Sequence, residues 1–150
     1  MSASDEILKA NAAFYKAFAE RDYAAMSELW ARRAPVSCIH PGWPPLMGRD
    51  AVLASWRDVL SASEPLDVRV QEIGVQGYGD AALVLCGEVL NGRAALSAAN
   101  LFVREDGAWR LAFHQSGQIV SGMPRNADDD GEESSSPRRA TKKPLLKPKR

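Results

Sequence analysis

Two histidines, one amide and two thiols are the residues whose chemistry needs explaining in this sequence. His40 stands in "CIHPGWPPLMGRD", at the end of a short apolar run and just before Pro41. An imidazole takes and returns a proton near neutral pH more readily than any other side chain. If Val36, Cys38 and His40 share one face of a strand, that face turns His40 inward beside apolar neighbours. The bland alternative is a polar residue that only hydrogen-bonds the loop behind it. Asn100, in "SAANLFVRE", alternates with Phe102, so the two share a face. A buried amide there can orient a ligand oxygen or satisfy a neighbouring backbone group. His114 belongs to "AWRLAFHQSGQ". Simple alternation places Trp109, Leu111, Phe113 and Gln115 on the inner face and His114 on the outer one. The two histidines are then on separate sites, and with no third ligand no metal site is expected. Asp22 and Asp50 read as turn and cap residues rather than acids of a site.

The elements that must position these groups follow from periodicity. Ile7, Asn11, Phe14 and Phe18, with Leu8 and Tyr15 beside them, mark a first helix, with Ser4 as its cap. Tyr23, Met26, Leu29 and Trp30 mark a second, stopped by Pro35. "VSCIH" is a short strand, and the proline-rich stretch after it is a stiff rim. Trp43 in that rim either lids a cavity or staples the loop onto a core tryptophan. Val52, Leu53, Trp56, Val59 and Leu60 mark a third helix. Four long strand patterns then follow, separated by the turn signals "GYGD", "NGR" and "EDGA". Helices first and an antiparallel meander after them predict an α+β fold.

Totals bound the rest. The 150 residues suit one domain with a tail. Net charge is zero, but residues 1–122 carry 11 Lys/Arg and 14 Asp/Glu, whereas residues 123–150 carry 8 and 5. The expected boundaries are a domain over 1–122 and a disordered charged tail over 123–150, whose polar, proline-rich composition cannot bury a core. The tail's basic block lies beside an acidic one and has no aromatic residue to stack on bases, which argues against nucleic acid. No apolar run approaches the length of a membrane span. Cys38 and Cys86 read as buried thiols in a reducing compartment, so a cytoplasmic location is expected.

Three phrases, "FAERDYAAMSELWA", "IHPGWPPLMGRDAVLASW" and "AANLFVREDGAWRLAFHQSG", together resemble the NTF2-like superfamily over residues 5–120. This group includes the steroid isomerases, scytalone dehydratase and the SnoaL-like cyclases, and the resemblance is greatest to the small bacterial SnoaL-like proteins. It implies an NTF2-like (cystatin-like) cone: three N-terminal helices packed on a curved antiparallel sheet of one short and four long strands. It also implies that the isomerases' base position falls on His40, their donor carboxyl on Asn100 and their donor tyrosine on Phe14. All three depart from the isomerase pattern, so steroid isomerisation is not expected.

The resulting expectation is a small-molecule-binding protein, with a small, largely apolar ligand and no cofactor. His40 and Asn100 are the candidate catalytic pair of a cyclase, dehydratase or isomerase. Phe14, Phe18, Trp43, Phe102, Phe113 and Gln115 are the candidate ligand-binding residues. The competing readings are a non-catalytic ligand binder and a dimerising accessory domain. Leu101, Val103 and Ala112 on the outer sheet face point to a homodimer in any of them.

Overall fold

The apolar stripes of the first sixty residues become three helices in the computed structural model, which describes residues 1–62 and 66–121. The expected tail, 123–150, lies outside the described residues. Helix α1 runs Ala3–Ala19 and buries Ile7, Asn11, Phe14, Tyr15 and Ala17. Its cap is Ser2, not Ser4: the Ser2 hydroxyl accepts from the Asp5 N–H, and the Asp5 carboxylate accepts in return from the Ser2 N–H. This reciprocal capping box satisfies two donors at once. Helix α2, Tyr23–Leu29, is capped by Asp22, whose carboxylate accepts from the Ala25 N–H. Helix α3, Arg49–Leu60, presents Val52, Ser55, Trp56 and Leu60 inward.

The strands are β1 (Ser37–Ile39), β2 (Leu46–Met47), β3 (Val68–Gly77), β4 (Ala81–Leu90), β5 (Ala94–Glu105) and β6 (Ala108–Gln118). They form a single mixed sheet in the order β2-β1-β6-β5-β4-β3. The four long strands pair antiparallel as a meander, while β1 pairs parallel with β6. The strand β2 was not expected. It forms because the proline-rich rim doubles back and pairs Leu46 with Cys38. At the β5–β6 turn Asp106 and Gly107 both have positive φ, 50° and 76°. A two-residue hairpin of this twist requires that conformation at both positions.

The core lies between the helices and the inner sheet face. Phe14, Met26, Trp30, Val52, Trp56, Val84, Phe102 and Leu111 are fully buried. Strand β4 alternates cleanly, with Ala82, Val84, Cys86 and Glu88 inward. Two ties hold the helical layer to the sheet. The Ala31 N–H donates to the Leu111 carbonyl at 2.8 Å. The Glu105 carboxylate accepts from the backbone N–H groups of Arg32, Arg33 and Ala34 at 2.8–3.0 Å. Those three donors keep the Glu105 carboxyl below its ordinary value.

Candidate functional site

The rim loop is built by a tight turn. The Trp43 N–H donates to the His40 carbonyl at 2.9 Å, and Gly42 between them has φ +79°. Pro41 presets the first corner, and Gly42 takes the left-handed second corner that a type II turn needs. The turn folds the Trp43 ring back onto the His40 ring, edge to face, with centroids 4.9 Å apart. Trp43 stays 43 % exposed while His40 beneath it is buried. The chain then returns to the sheet edge, where the Gly48 N–H donates to the Val36 carbonyl. Next, Arg49 opens α3 and spends its guanidinium on the carbonyls of Ser27, Trp30 and Ala31.

The tautomer of His40 follows from its partner on α3. The Ser55 hydroxyl donates its single proton to the Val52 carbonyl at 2.6 Å. His40 Nε2 lies 2.9 Å from the same Oγ, so Nε2–H must be the donor there. In the neutral ring Nδ1 is therefore a bare lone pair, and it has no partner among the described residues. Burial holds His40 below the ordinary imidazole range, which keeps it neutral at pH 7.

His114 does not face outward. It is 3 % exposed and packs against Phe14 and Trp56, with centroids at 4.9 and 5.8 Å. The reason is a bulge. Phe102 pairs with Leu111 but Leu101 pairs with Phe113, so Ala112 is an extra residue in β6. One inserted residue reverses the parity of everything after it. Leu111 is inward before the bulge, and His114 and Ser116 are inward after it. Phe113 and Gln115 are correspondingly turned to the outer face, Phe113 half-buried and Gln115 exposed. Of the residues expected on the inner wall, the structure brings together His40, Asn100, Phe14, Phe18 and Phe102, and sets Trp43 at the rim. It separates Phe113 and Gln115 from them.

A chain of hydrogen bonds fixes His114 as well. Asn11 directs its Nδ2 toward Glu72 Oε1 and Cys86 Sγ, at 3.4 and 3.5 Å. Its Oδ1 therefore accepts from Asn100 Nδ2, at 2.8 Å, and the same Asn100 nitrogen donates to the Tyr15 hydroxyl at 3.1 Å. Asn100 Oδ1 is left facing His114 Nδ1 at 2.5 Å, and an amide oxygen can only accept. Nδ1 thus carries the proton and Nε2 is bare, with no partner among the described residues. Burial, helped by repulsion from His40, pushes the His114 pKa down to about 3, so the ring is neutral. The two histidines are locked in opposite tautomers, each by its own hydroxyl or amide partner. Asn100 is fully engaged within the protein and orients His114.

Four members of this site were missed from the sequence. Tyr15 brings a phenol to Asn100, although the family comparison had placed the tyrosine position at Phe14; the α1 face is wide enough to bury both. Asn11 was legible only as a member of the α1 stripe, and Ser55 was not read at all, although it is buried on the same face of α3 as Val52 and Trp56. Glu88 lies inward by the alternation of β4, buried without a cationic partner among the described residues. Burial raises its pKa, and its proximity raises that of Tyr15 further. Cys38, in contact with His40 Nε2 at 3.7 Å, is pushed up to about 12 by burial, and Cys86 is raised too. Both thiols are free, protonated and poor nucleophiles.

Phe14, Phe18 and Trp56 pack edge to face or stacked across the interior. Two shallow, open clefts lie elsewhere. One, about 350 Å³, is on the outer sheet face along Leu85, Ser97, Ala99, Gln115 and Gln118. The other, about 310 Å³, lies among Arg21, Tyr23, Arg57, Leu60 and Ser61. Among the described residues no three His, Cys, Asp or Glu side chains cluster as a metal site, and no helix is long and apolar enough to cross a membrane.

Three helices on a curved mixed sheet, with polar groups held on the inner face, define an NTF2-like protein of cystatin-like fold. Within that class the chain belongs to the SnoaL-like domain family, which it matches over residues 7–121. It is similar to an NTF2-like family protein from Streptomyces avermitilis named as a dehydratase, with 32 % identity, 78 % of this chain and 96 % of that one covered, and a TM-score of 0.72. A protein from Thiobacillus denitrificans named for the calcium/calmodulin-dependent protein kinase type II association domain is 34 % identical, with 74 % and 93 % covered and a TM-score of 0.69. A ketosteroid isomerase-like protein from Erwinia carotovora atroseptica shares the fold at 22 % identity, with 77 % and 95 % covered and a TM-score of 0.61. Among curated proteins, a folylpolyglutamate synthase from Neurospora crassa is 32 % identical over 83 residues, but the match spans only 15 % of that protein.

Proposed function

We propose that the protein binds a small, largely apolar molecule between the Trp43 rim and the Trp56 ring. The observation that carries this reading is a pair of neutral histidines held in fixed tautomers on either side of the Trp56 ring, His40 at 4.9 Å and His114 at 5.8 Å between centroids. Each keeps one ring nitrogen free of a hydrogen-bond partner among the described residues. The filled interior means that a ligand enters by displacing Trp43, the one exposed ring of the group. The dehydratase name of the Streptomyces relative supports extending this reading to proton transfer, with His40 at the rim as the neutral base and His114 behind it as a hydrogen-bond acceptor. Such chemistry needs no cofactor, and a cytoplasmic location suits the two free thiols. The test is a fragment screen by ligand-observed NMR on the wild type, His40→Ala and His114→Ala. Fragments should bind the wild type and be lost in both variants; retention in both refutes the site.

A second reading is favoured by the outer face of the sheet. Ile73, Leu85, Val89, Ile119 and Val120 are exposed there or at its margin, beside the 350 Å³ groove. We propose that this face joins two copies of the chain, with Leu101 and Val103 within it; Ala112 is buried at the bulge and takes no part. The association-domain name of the Thiobacillus relative supports this. A monomer mass by light scattering at micromolar concentration refutes it.

A further inference from the structure

We infer that the cleft between the α1–α2 turn and the end of α3 binds the phosphate group of a small phosphate monoester, held by Arg21 and Arg57. This cleft shares no residue with the His40–His114 site. Its first arginine stands at a backbone position that favours glycine. Helix α1 ends in a Schellman motif: the Arg21 N–H donates to the Phe18 carbonyl at 3.2 Å and the Asp22 N–H to the Ala17 carbonyl at 3.0 Å. That motif sets Arg21 at φ 55°, in the left-handed region that a β-carbon disfavours. Backbone strain of this kind gathers where a side chain has to be aimed. The Arg21 guanidinium reaches the end of α3 and gives one N–H to the Ala62 carbonyl, and its remaining donors are unspent among the described residues.

Arg57 lines the same cleft from the last turn of α3. Its Cζ lies 4.4 Å from the centroid of the Tyr23 ring, and it has no ion-pair partner among the described residues. A guanidinium stacked on a ring is held in plane and keeps the N–H groups at its edge for an anion. The cleft, about 310 Å³, is completed by Leu60 and Ser61, and no carboxylate lines it. The nearby Asp22 carboxylate is committed to capping α2 through the Ala25 N–H. Two positive charges thus stand together in a stretch, residues 1–122, that carries 11 Lys/Arg against 14 Asp/Glu. Such a pair complements a dianion better than a monoanion. A phosphate monoester approaches two negative charges at neutral pH and offers three acceptor oxygens to the two forks, whereas a carboxylate or a sulfate ester carries a single charge. Buried Leu60 and the half-buried Tyr23 ring give the ester's organic group an apolar wall.

Phenyl phosphate, phenyl sulfate and benzoate each carry one ring, on a dianion in the first case and a monoanion in the other two. Titrated into the full chain by NMR at about pH 7.5, phenyl phosphate should bind at least about fivefold more tightly than either monoanion. It should shift the Arg57 Nε–H resonance as it saturates. Lowering the pH to about 5 returns the second proton to the phosphate, whose second pKa is about 6, and should weaken it by about fivefold. Arg57→Gln should weaken phenyl phosphate by about tenfold or more, and Arg21→Gly should act in the same direction. Glycine adopts the left-handed conformation freely, so the second variant removes the guanidinium without straining the turn. Unchanged affinity in both variants overturns the site and moves any binding to other basic residues. Equal affinity for all three probes overturns the phosphate assignment. Failure of phenyl phosphate to bind at millimolar concentration overturns the proposal as a whole.

Discussion

Replacing His114 with glutamine should remove an acid-sensitive component from the stability of this fold. In the folded chain His114 is enclosed by Phe14 and Trp56 and gives its Nδ1–H to Asn100. Its pKa falls from 6.5 to about 3. The unfolded chain keeps the ordinary value, so between those limits it binds the proton that the folded chain refuses. The group with the lowered folded pKa therefore makes stability rise with pH across that window, and its contribution is complete above the unfolded value. At about pH 5 an unfolded imidazole is almost fully protonated, which corresponds to a loss of about 2 kcal/mol relative to neutral pH. Glu88 works in the opposite direction, because its raised pKa lets the folded state hold a proton longer than the unfolded one. Both Glu88 and His40 are present in the variant, so they largely cancel in a difference. Glutamine approximates the size of the imidazole and does not titrate. Urea unfolding of the two proteins from about pH 7.5 to about pH 5 should show their stability difference shifting by about 2 kcal/mol toward the variant. Parallel curves across that range would refute the claim that His114 is buried neutral.

Three further outcomes test other parts of the account. Gly42→Ala places a β-carbon at φ +79° and should cost about 1 kcal/mol, read by denaturant unfolding, while tryptophan fluorescence reports Trp43 lifting from His40. Asn100→Asp puts a carboxylate against His114 Nδ1, so the imidazole pKa should rise from its depressed value, visible in a nitrogen-15 NMR titration; an unmoved resonance contradicts the hydrogen-bond chain. Glu105→Ala removes the acceptor for the N–H groups of Arg32, Arg33 and Ala34 and should cost on the order of 1–3 kcal/mol, with faster amide exchange at those three residues.

The sequence by itself determined the α+β class, the three helices, the long meander and the family resemblance. These rest on periodicities of 3.6 and 2 and on turn residues, which are local properties of the chain. His40 was legible for the same reason: Val36, Cys38 and His40 alternate without interruption, and Pro41-Gly42 specifies the turn that brings Trp43 back. His114 was not legible, because one extra residue at Ala112 reverses its side of the sheet, and no local pattern in "AWRLAFHQSGQ" marks the insertion. The same bulge moved Phe113 and Gln115 outward. Strand β2 was invisible because two residues acquire strand geometry only by finding Ser37 and Cys38 as partners. The tautomers were decided last and only in three dimensions. Each depends on where a distant hydroxyl or amide has already placed its own proton: Ser55 on Val52 for His40, and Asn11 through Asn100 for His114.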